Sequence, residues 1–401
     1  MRIAAPLAAA ALLALADGMR AAAAQETRTD TAASARWNVA ARRLLLGGPG
    51  VAPVSQQGAT NGRPAPAGRP PIGGIPRVMA AVSAAQYEAV ERAVSAGASA
   101  HVAAAAASAA VLGSFLARDS ALVAAELARD VAAARRAGES EARIAAGRRA
   151  GAGAAAALLA WIRTDGAGAA WTGTVPEGPG LWRSAPNVPP GGATIASMRP
   201  WTLASADQFR PGPPPKFDSP EFRAALDEVR RYAQARTPEQ IRIAQHWARV
   251  NPPDEWNRIA VDVIVRHRLP PEKAARLLAL VGIAAMDAQI ACWEAKYHYW
   301  LLRPSQADST IALPPQVGLP NFPAYPSGHA CGAGAVAAVV AHLVPESRVA
   351  MEAVAEEAAM SRLYAGVHFR FDNDDGLALG RTVARWVIEQ DAQGALRRRW
   401  R

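Results

Sequence analysis

Between Lys296 and Asp372 three short sequences bring together residue types that could assemble a single anion pocket. Lys296 is followed seven residues on by Arg303-Pro304, then comes Pro326-Ser327-Gly328-His329, and last Ser361-Arg362 with His368 and Asp372 behind it. Together they supply three cations, two histidines, a carboxylate and a helix start. A tetrahedral or trigonal-bipyramidal oxyanion requires a set of this kind.

Taken singly, each piece has an ordinary reading as well. Lys296 and Arg303 are expected two turns apart on one helix face, because seven steps of about 100° nearly close two circles. Most such pairs simply face solvent. Pro326-Ser327-Gly328-His329 reads as a turn entering a helix, with Gly328 letting the backbone approach a ligand and the first-turn N–H groups left to bind it. Alone it could be any capped helix. His368 and Asp372, four apart, share a face if helical, so the carboxylate can hold the Nδ1 proton and leave Nε2 to attack or ligate. A lone histidine is more often structural.

The conjunction is more specific than its parts. K-x6-R-P, P-S-G-H and S-R-x5-H-x3-D, in this order within 77 residues, resemble the signature shared by type 2 phosphatidic acid phosphatases, bacterial acid phosphatases and vanadium-dependent haloperoxidases. Pro200 to Pro215, His246-Trp247, Trp256-Asn257-Arg258 and Asp287 to Tyr299 also resemble the soluble bacterial haloperoxidase-like branch, as does Arg77 to Val90. The similarity runs from about residue 30 to 390, and the stretch from Gly47 to Gly74 has no counterpart.

This resemblance implies an all-α fold, a large helical bundle domain of the vanadium haloperoxidase and acid phosphatase type. It also implies vanadate as cofactor and an oxidoreductase that oxidises halide with hydrogen peroxide to hypohalous acid. Lys296, Arg303 and Arg362 would neutralise the oxyanion's equatorial oxygens, with the Ser327 hydroxyl and the Gly328 N–H as further donors. His368 would be the axial metal ligand through Nε2, its other nitrogen held by Asp372. His329 would act as general acid and base on the opposite side, and Lys296 would polarise bound peroxide. Near-neutral titration is expected of His329, raised by the oxyanion and lowered by the three cations. Trp293 and Phe322 match aromatic positions that flank the halide in the family's chloroperoxidases, although plain packing explains both. The alternative is a secreted acid phosphatase acting on a phosphomonoester, with His368 as nucleophile and His329 protonating the leaving alcohol.

The rest of the chain must position those residues. With 401 residues, 51% of them hydrophobic but only 6% aromatic, the apolar content is mostly alanine and leucine, which favours helix. Helices are expected over Trp37 to Leu46, Pro76 to Ser95, Ala98 to Arg118, Ser120 to Ala137 and Glu139 to Thr164. Ser219-Pro220 and Thr237-Pro238 are good helix starts, with a cap before proline at the first helical position. Pro271 to Leu302 reads as a central buried helix, followed by Ser327 to Val344, Val349 to Ser361 and Gly376 to Gln390, so residues 271–390 form the catalytic helices. Residues 47–75 read as a flexible Gly/Pro loop, and 171–215 as an irregular segment wrapping the surface or covering the pocket.

Arg2 followed by the apolar run from Ile3 to Ala16, with Ala22-Ala23-Ala24 before Gln25, predicts a signal peptide over residues 1–24, a single helical domain over 25–401 and a periplasmic or secreted location. No later segment has a strongly apolar run long enough to span a bilayer, Ala98 to Ala117 coming nearest, so no integral membrane association is expected. The net charge is +10, yet only Lys216, Lys273 and Lys296 are lysines and no basic run alternates with aromatics. Attraction for anionic substrates fits this better than nucleic-acid binding. Cys292 and Cys331 lie beside the motifs and could be neighbours, but small buried thiols are the commoner outcome. The oligomeric state is not legible.

Overall fold

The computed structural model describes residues 32–46, 74–186, 188–250 and 252–400. The expected signal peptide and residues 47–73 of the expected loop lie outside the described residues. Gly74 and Ile75, expected to end that loop, instead begin a helix.

Helices account for nearly all regular structure among the described residues, apart from one antiparallel bridge between Leu181 and Leu301. The N-terminal part contributes α1 (Ala33–Leu46), α2 (Gly74–Ser95), α3 (Ala100–Phe115), α4 (Ser120–Arg136) and α5 (Glu141–Ile162). After the irregular stretch come α6 (Pro220–Gln234), α7 (Pro238–Arg249) and α8 (Pro252–His267). The C-terminal part holds α9 (Pro271–Tyr299), the single turn α10 (Pro304–Ala307), α11 (Gly328–Leu343), α12 (Arg348–Tyr364), α13 (Arg370–Ala392) and α14 (Ala395–Arg399). Both proline starts behave as expected. The Ser219 hydroxyl accepts from the Phe222 N–H, and Thr237 forms a capping box with Gln240.

Helix α9 is the axis of the fold. It packs against α2 on one side and against α11 and α13 on the other, so apolar residues around its whole circumference are buried. By length and hydropathy α9 could cross a membrane, which corrects the expectation that Ala98 to Ala117 is the nearest such run; 78% of its most apolar window is buried inside the protein. Asp287 on α9 ties the irregular segment across this axis. Its carboxylate, fully buried, accepts from the Trp201 N–H at 2.6 Å, the Thr202 N–H at 2.7 Å and the Thr202 hydroxyl at 2.6 Å.

Two expected boundaries are corrected. Helix α9 stops at Tyr299, where Trp300 turns left-handed (φ 53°), and Arg303 is extended (φ −80°, ψ 154°). Lys296 and Arg303 therefore do not share a helix face. A residue before proline is pushed out of the helical region, and here the break comes three residues earlier still, at Trp300. Likewise α13 begins at Arg370, so His368 precedes the helix whose first turn carries Asp372.

The crossing of α11 and α13 sets the spacing of the motifs they carry. A methyl at Gly380 would lie 2.1 Å from the Cys331 carbonyl oxygen, and one at Gly334 would lie 2.4 Å from that of Leu377. Backbone meets backbone at both points. Gly380→Ala would stabilise an unobstructed helix by up to about 1 kcal/mol. Here it should destabilise the protein by roughly 1–3 kcal/mol, because the helices must separate. Chemical denaturation gives the sign, and a stability gain would show that the crossing is looser than described.

Candidate functional site

Lys296 reaches its position from the last turn of α9 and is wholly buried. All three ammonium donors are used by backbone: the carbonyls of Pro323 at 3.0 Å, Ala324 at 2.8 Å and Pro326. The strand of chain entering α11 is thus folded around one charge. Burial pushes the Lys296 pKa down to about 8, with Arg303 adding to the fall.

Arg303 is also wholly buried. Its Nε donates to the Phe322 carbonyl at 3.0 Å, and Nη1 to the Val367 carbonyl at 2.7 Å and to His368 Nε2 at 2.9 Å. Nη2 has no partner. Arg362, on the last turn of α12 and 3% exposed, leaves both Nε and Nη1 without a partner among the described residues. Burial lowers the pKa of each guanidinium.

Ser327 caps α11 by backbone geometry. Its N–H donates to the Asp372 carbonyl at 2.8 Å, while its buried hydroxyl has no partner among the described residues. The first N–H groups of α11, from Gly328 on, have no intrahelical acceptor and carry the positive end of the helix dipole. A side chain at 328 would press on the Trp293 ring, 3.0 Å from a methyl, so only glycine lets the helix start this close to that indole.

The two histidines are oriented by different devices. His368 donates Nδ1–H to Asp372 at 2.8 Å, and Asp372 also accepts from the Phe369 N–H at 3.0 Å. The contact is made by a helix-capping carboxylate. Nε2 is then the unprotonated nitrogen, and in the protein alone it accepts from Arg303 instead of standing free as expected. His329, in the first turn of α11, lies 3.0 Å through Nε2 from the Trp247 carbonyl. A carbonyl only accepts, so Nε2 carries the proton and Nδ1 is left as the base.

The electrostatics follow from burying this set together. Both histidines are pushed well below the ordinary range, first by burial and then by cations: Arg362 foremost for His329, Arg303 foremost for His368. Without a bound anion, burial and the cations therefore outweigh any raising influence on His329. Burial lifts Asp372 to about 7 even though Lys296 and Arg303 oppose it. At neutral pH the site holds three cations, two neutral imidazoles and at most one negative charge.

The sequence motifs thus converge, and Trp293 and Phe322 join them with ring centroids 5.3 Å apart. Phe322 also lies beneath the cations, 5.2 Å from the Lys296 ammonium and 4.9 Å from the Arg303 guanidinium. The irregular segment reaches this wall, because Gly191 accepts from the Trp293 indole at 3.2 Å and from the Tyr297 hydroxyl at 2.7 Å. Sequence reasoning missed the Trp247 carbonyl, a backbone atom whose use no side-chain pattern reveals. It also missed Gln289 and Trp256, which line the cleft above His329 and Arg362. Cys292 and Cys331 are buried free thiols.

The residues present fit an oxyanion. Four buried donor atoms, Arg303 Nη2, Arg362 Nε and Nη1, and Ser327 Oγ, have no partner among the described residues, although buried polar groups are almost always paired. They belong to the same residue set as an unprotonated His368 Nε2 and a helix start. Lys296 differs from expectation, since its donors are already used and it acts on the site through charge and through the loop it holds.

Residues 275–393 match the PAP2 superfamily. The vanadium chloroperoxidase of Curvularia inaequalis is 29% identical over a 172-residue alignment covering 30% of this chain and 28% of that one, so the match spans under a third of that relative. Among solved structures, a bacterial vanadium-dependent iodoperoxidase superposes with a TM-score of 0.66 at 22% identity, covering 78% of this chain and 90% of that one. A bacterial vanadium-dependent chloroperoxidase in its holo form gives 0.61 at 15% identity, covering 84% and 97%. The chain therefore has the helical fold seen in the bacterial vanadium haloperoxidases, and within it residues 275–393 match the PAP2 superfamily.

Proposed function

We propose that the chain is a vanadate-dependent haloperoxidase, oxidising halide with hydrogen peroxide to hypohalous acid. One observation carries the reading: unpaired buried donors from Arg303, Arg362 and Ser327 gathered in one site with His368 Nε2. The fold shared with bacterial vanadium haloperoxidases over most of their length supports vanadate as the oxyanion.

Vanadate, when bound, would supply a Lewis-acid centre that renders peroxide electrophilic toward halide without changing its own oxidation state. His368 would ligate it through Nε2, with Asp372 fixing the tautomer and the ring. Arg303 would release His368 Nε2 and turn its donors to the anion alongside Arg362, Ser327 and the Gly328 N–H. Lys296 would hold the 323–326 turn and add positive charge at peroxide. His329, uncharged at neutral pH, would take the proton of hydrogen peroxide at Nδ1 and return it to the departing oxygen. Trp293 and Phe322 would exclude water on the halide side. The predicted signal peptide makes export to the periplasm or beyond part of the same proposal.

The same donors would serve a phosphomonoester, with His368 Nε2 attacking phosphorus, so activity decides. Purified protein given vanadate, peroxide and bromide should halogenate a trap faster than it hydrolyses p-nitrophenyl phosphate. Faster hydrolysis would make it a phosphatase. His368→Ala should lose vanadate and both activities while keeping its helical content. His329→Ala should retain vanadate with moderately weaker affinity and lose about 100-fold or more in turnover. Equal loss of vanadate in both variants would reverse or refute the assigned roles.

The depressed Lys296 pKa gives a pH dependence. A nearby anion favours the charged ammonium, so the bound-state pKa must lie above the free value of about 8. Sulfate, whose charge is constant across this range, should keep the whole Lys296 contribution below pH 8 and bind more weakly as pH rises from 8 to the bound-state pKa. On the acid side its affinity should rise as the two histidines gain protons. A flat profile through pH 8 would show that Lys296 does not sense the anion.

A further inference from the structure

The cleft leading to the oxyanion site opens to solvent and runs past the charged residues to Trp256, Gln289 and Gly332. Pockets that take organic molecules are walled by apolar groups and oriented by a few polar ones. The walls beyond the charged residues are mainly apolar, with Trp256, Trp293, Phe322 and Pro320 among them and Gln289 as the polar side chain.

The two tryptophans differ in one respect. Each meets a glycine of α11: Trp293 meets Gly328, and Trp256 meets Gly332 one turn later. The Trp293 N–H is satisfied by the Gly191 carbonyl. The Trp256 N–H, on a ring 2% exposed, has no acceptor among the described residues. A methyl at Gly332 would sit 3.5 Å from that nitrogen, so glycine there keeps the space beside the N–H open. The amide of Gln289, half-buried on α9, makes no hydrogen bond among the described residues. Two uncommitted donors therefore stand beside an aromatic wall, in the same cleft as Arg362 and His368.

We infer that this part of the cleft binds the organic substrate, as a planar apolar body against Trp256, Trp293 and Phe322 with one acceptor oxygen held by the Trp256 N–H and the Gln289 amide. Aromatic walls favour a flat, polarisable partner, and a buried N–H favours an acceptor over a purely hydrocarbon ligand. The inference rests on the adjacent oxyanion reading, since bound there the molecule would meet the oxidised halide or carry the phosphoryl group.

Phenol is a suitable probe, with benzene as the same body lacking an acceptor, each titrated by ligand-observed NMR into the phosphate-loaded protein. Phenol should bind more tightly than benzene. Trp256→Phe and Gln289→Leu should each weaken phenol about fivefold and leave benzene and phosphate unaffected. Gly332→Ala should weaken phenol as well. If Trp256→Phe does not fold, Gln289→Leu decides alone, because that side chain is only half-buried. Absence of phenol binding, or phenol affinity unchanged in every folded variant, would overturn the inference. So would bromide displacing phenol with an affinity weakened by the same variants, since that would make the donor pair a halide site. Failure of the wild type to bind phosphate, with phenol still responding to the variants, would refute the oxyanion reading and leave this one standing.

Discussion

Three like charges buried around one point are the constraint that the rest of this structure serves. Lys296, Arg303 and Arg362 are almost wholly removed from water, with Asp372 the one carboxylate hydrogen-bonded within the site. Burial alone would favour their neutral forms, and their mutual repulsion adds to that cost. The protein offsets part of it with backbone carbonyls. Lys296 takes three, from 323, 324 and 326, and Arg303 takes those of Phe322 and Val367. What the carbonyls do not satisfy is left facing one place, and a bound oxyanion would complete it.

The surrounding helices follow from that requirement. Carbonyls can converge on an ammonium only where the chain is not helical, so α9 ends before Arg303 and the 320–327 turn stays irregular. The helix after that turn must begin close to the cations, and glycine at 328 against the Trp293 ring permits it. The same helix must lie near enough to α13 for Ser327 to reach the Asp372 carbonyl, which the glycines at 334 and 380 allow. Stability and site geometry are in this way set by the same contacts. A change that separates α11 from α13 disturbs the hydroxyl, the helix start and the histidine–aspartate pair together.

Much of this was legible in the sequence because it is written in side-chain identity and order. The helical class, the long axial helix and the two proline starts follow from composition, periodicity and caps, and the convergence of Lys296, Arg303, Ser327, Arg362 and His368 is what the motifs' resemblance to a known family implied. What escaped is carried by backbone. That Arg303 sits on extended chain, that Asp372 meets His368 from a helix cap and that His329 is held by the Trp247 carbonyl depend on where helices stop and which carbonyls they expose. The commitment of the Lys296 donors to carbonyls could not be read either, because spacing gives the residue and not what its ammonium touches. Gln289 and Trp256 lie in stretches that carry the resemblance, but nothing in their spacing assigns them a role, and they emerge as walls of the cleft only in the fold.

The central claim is that these buried cations form one site for one oxyanion, recognised by charge and shape rather than by its central atom. Calorimetric titration of phosphate into the protein, free and then saturated with vanadate, tests it directly. One phosphate should bind per chain to the free protein, and none in addition once vanadate is present. Removing either Arg303 or Arg362 should weaken both anions together, by roughly 1.5–3 kcal/mol for each charge-assisted contact. Independent, additive binding of phosphate to the vanadate-saturated protein would contradict a single shared pocket.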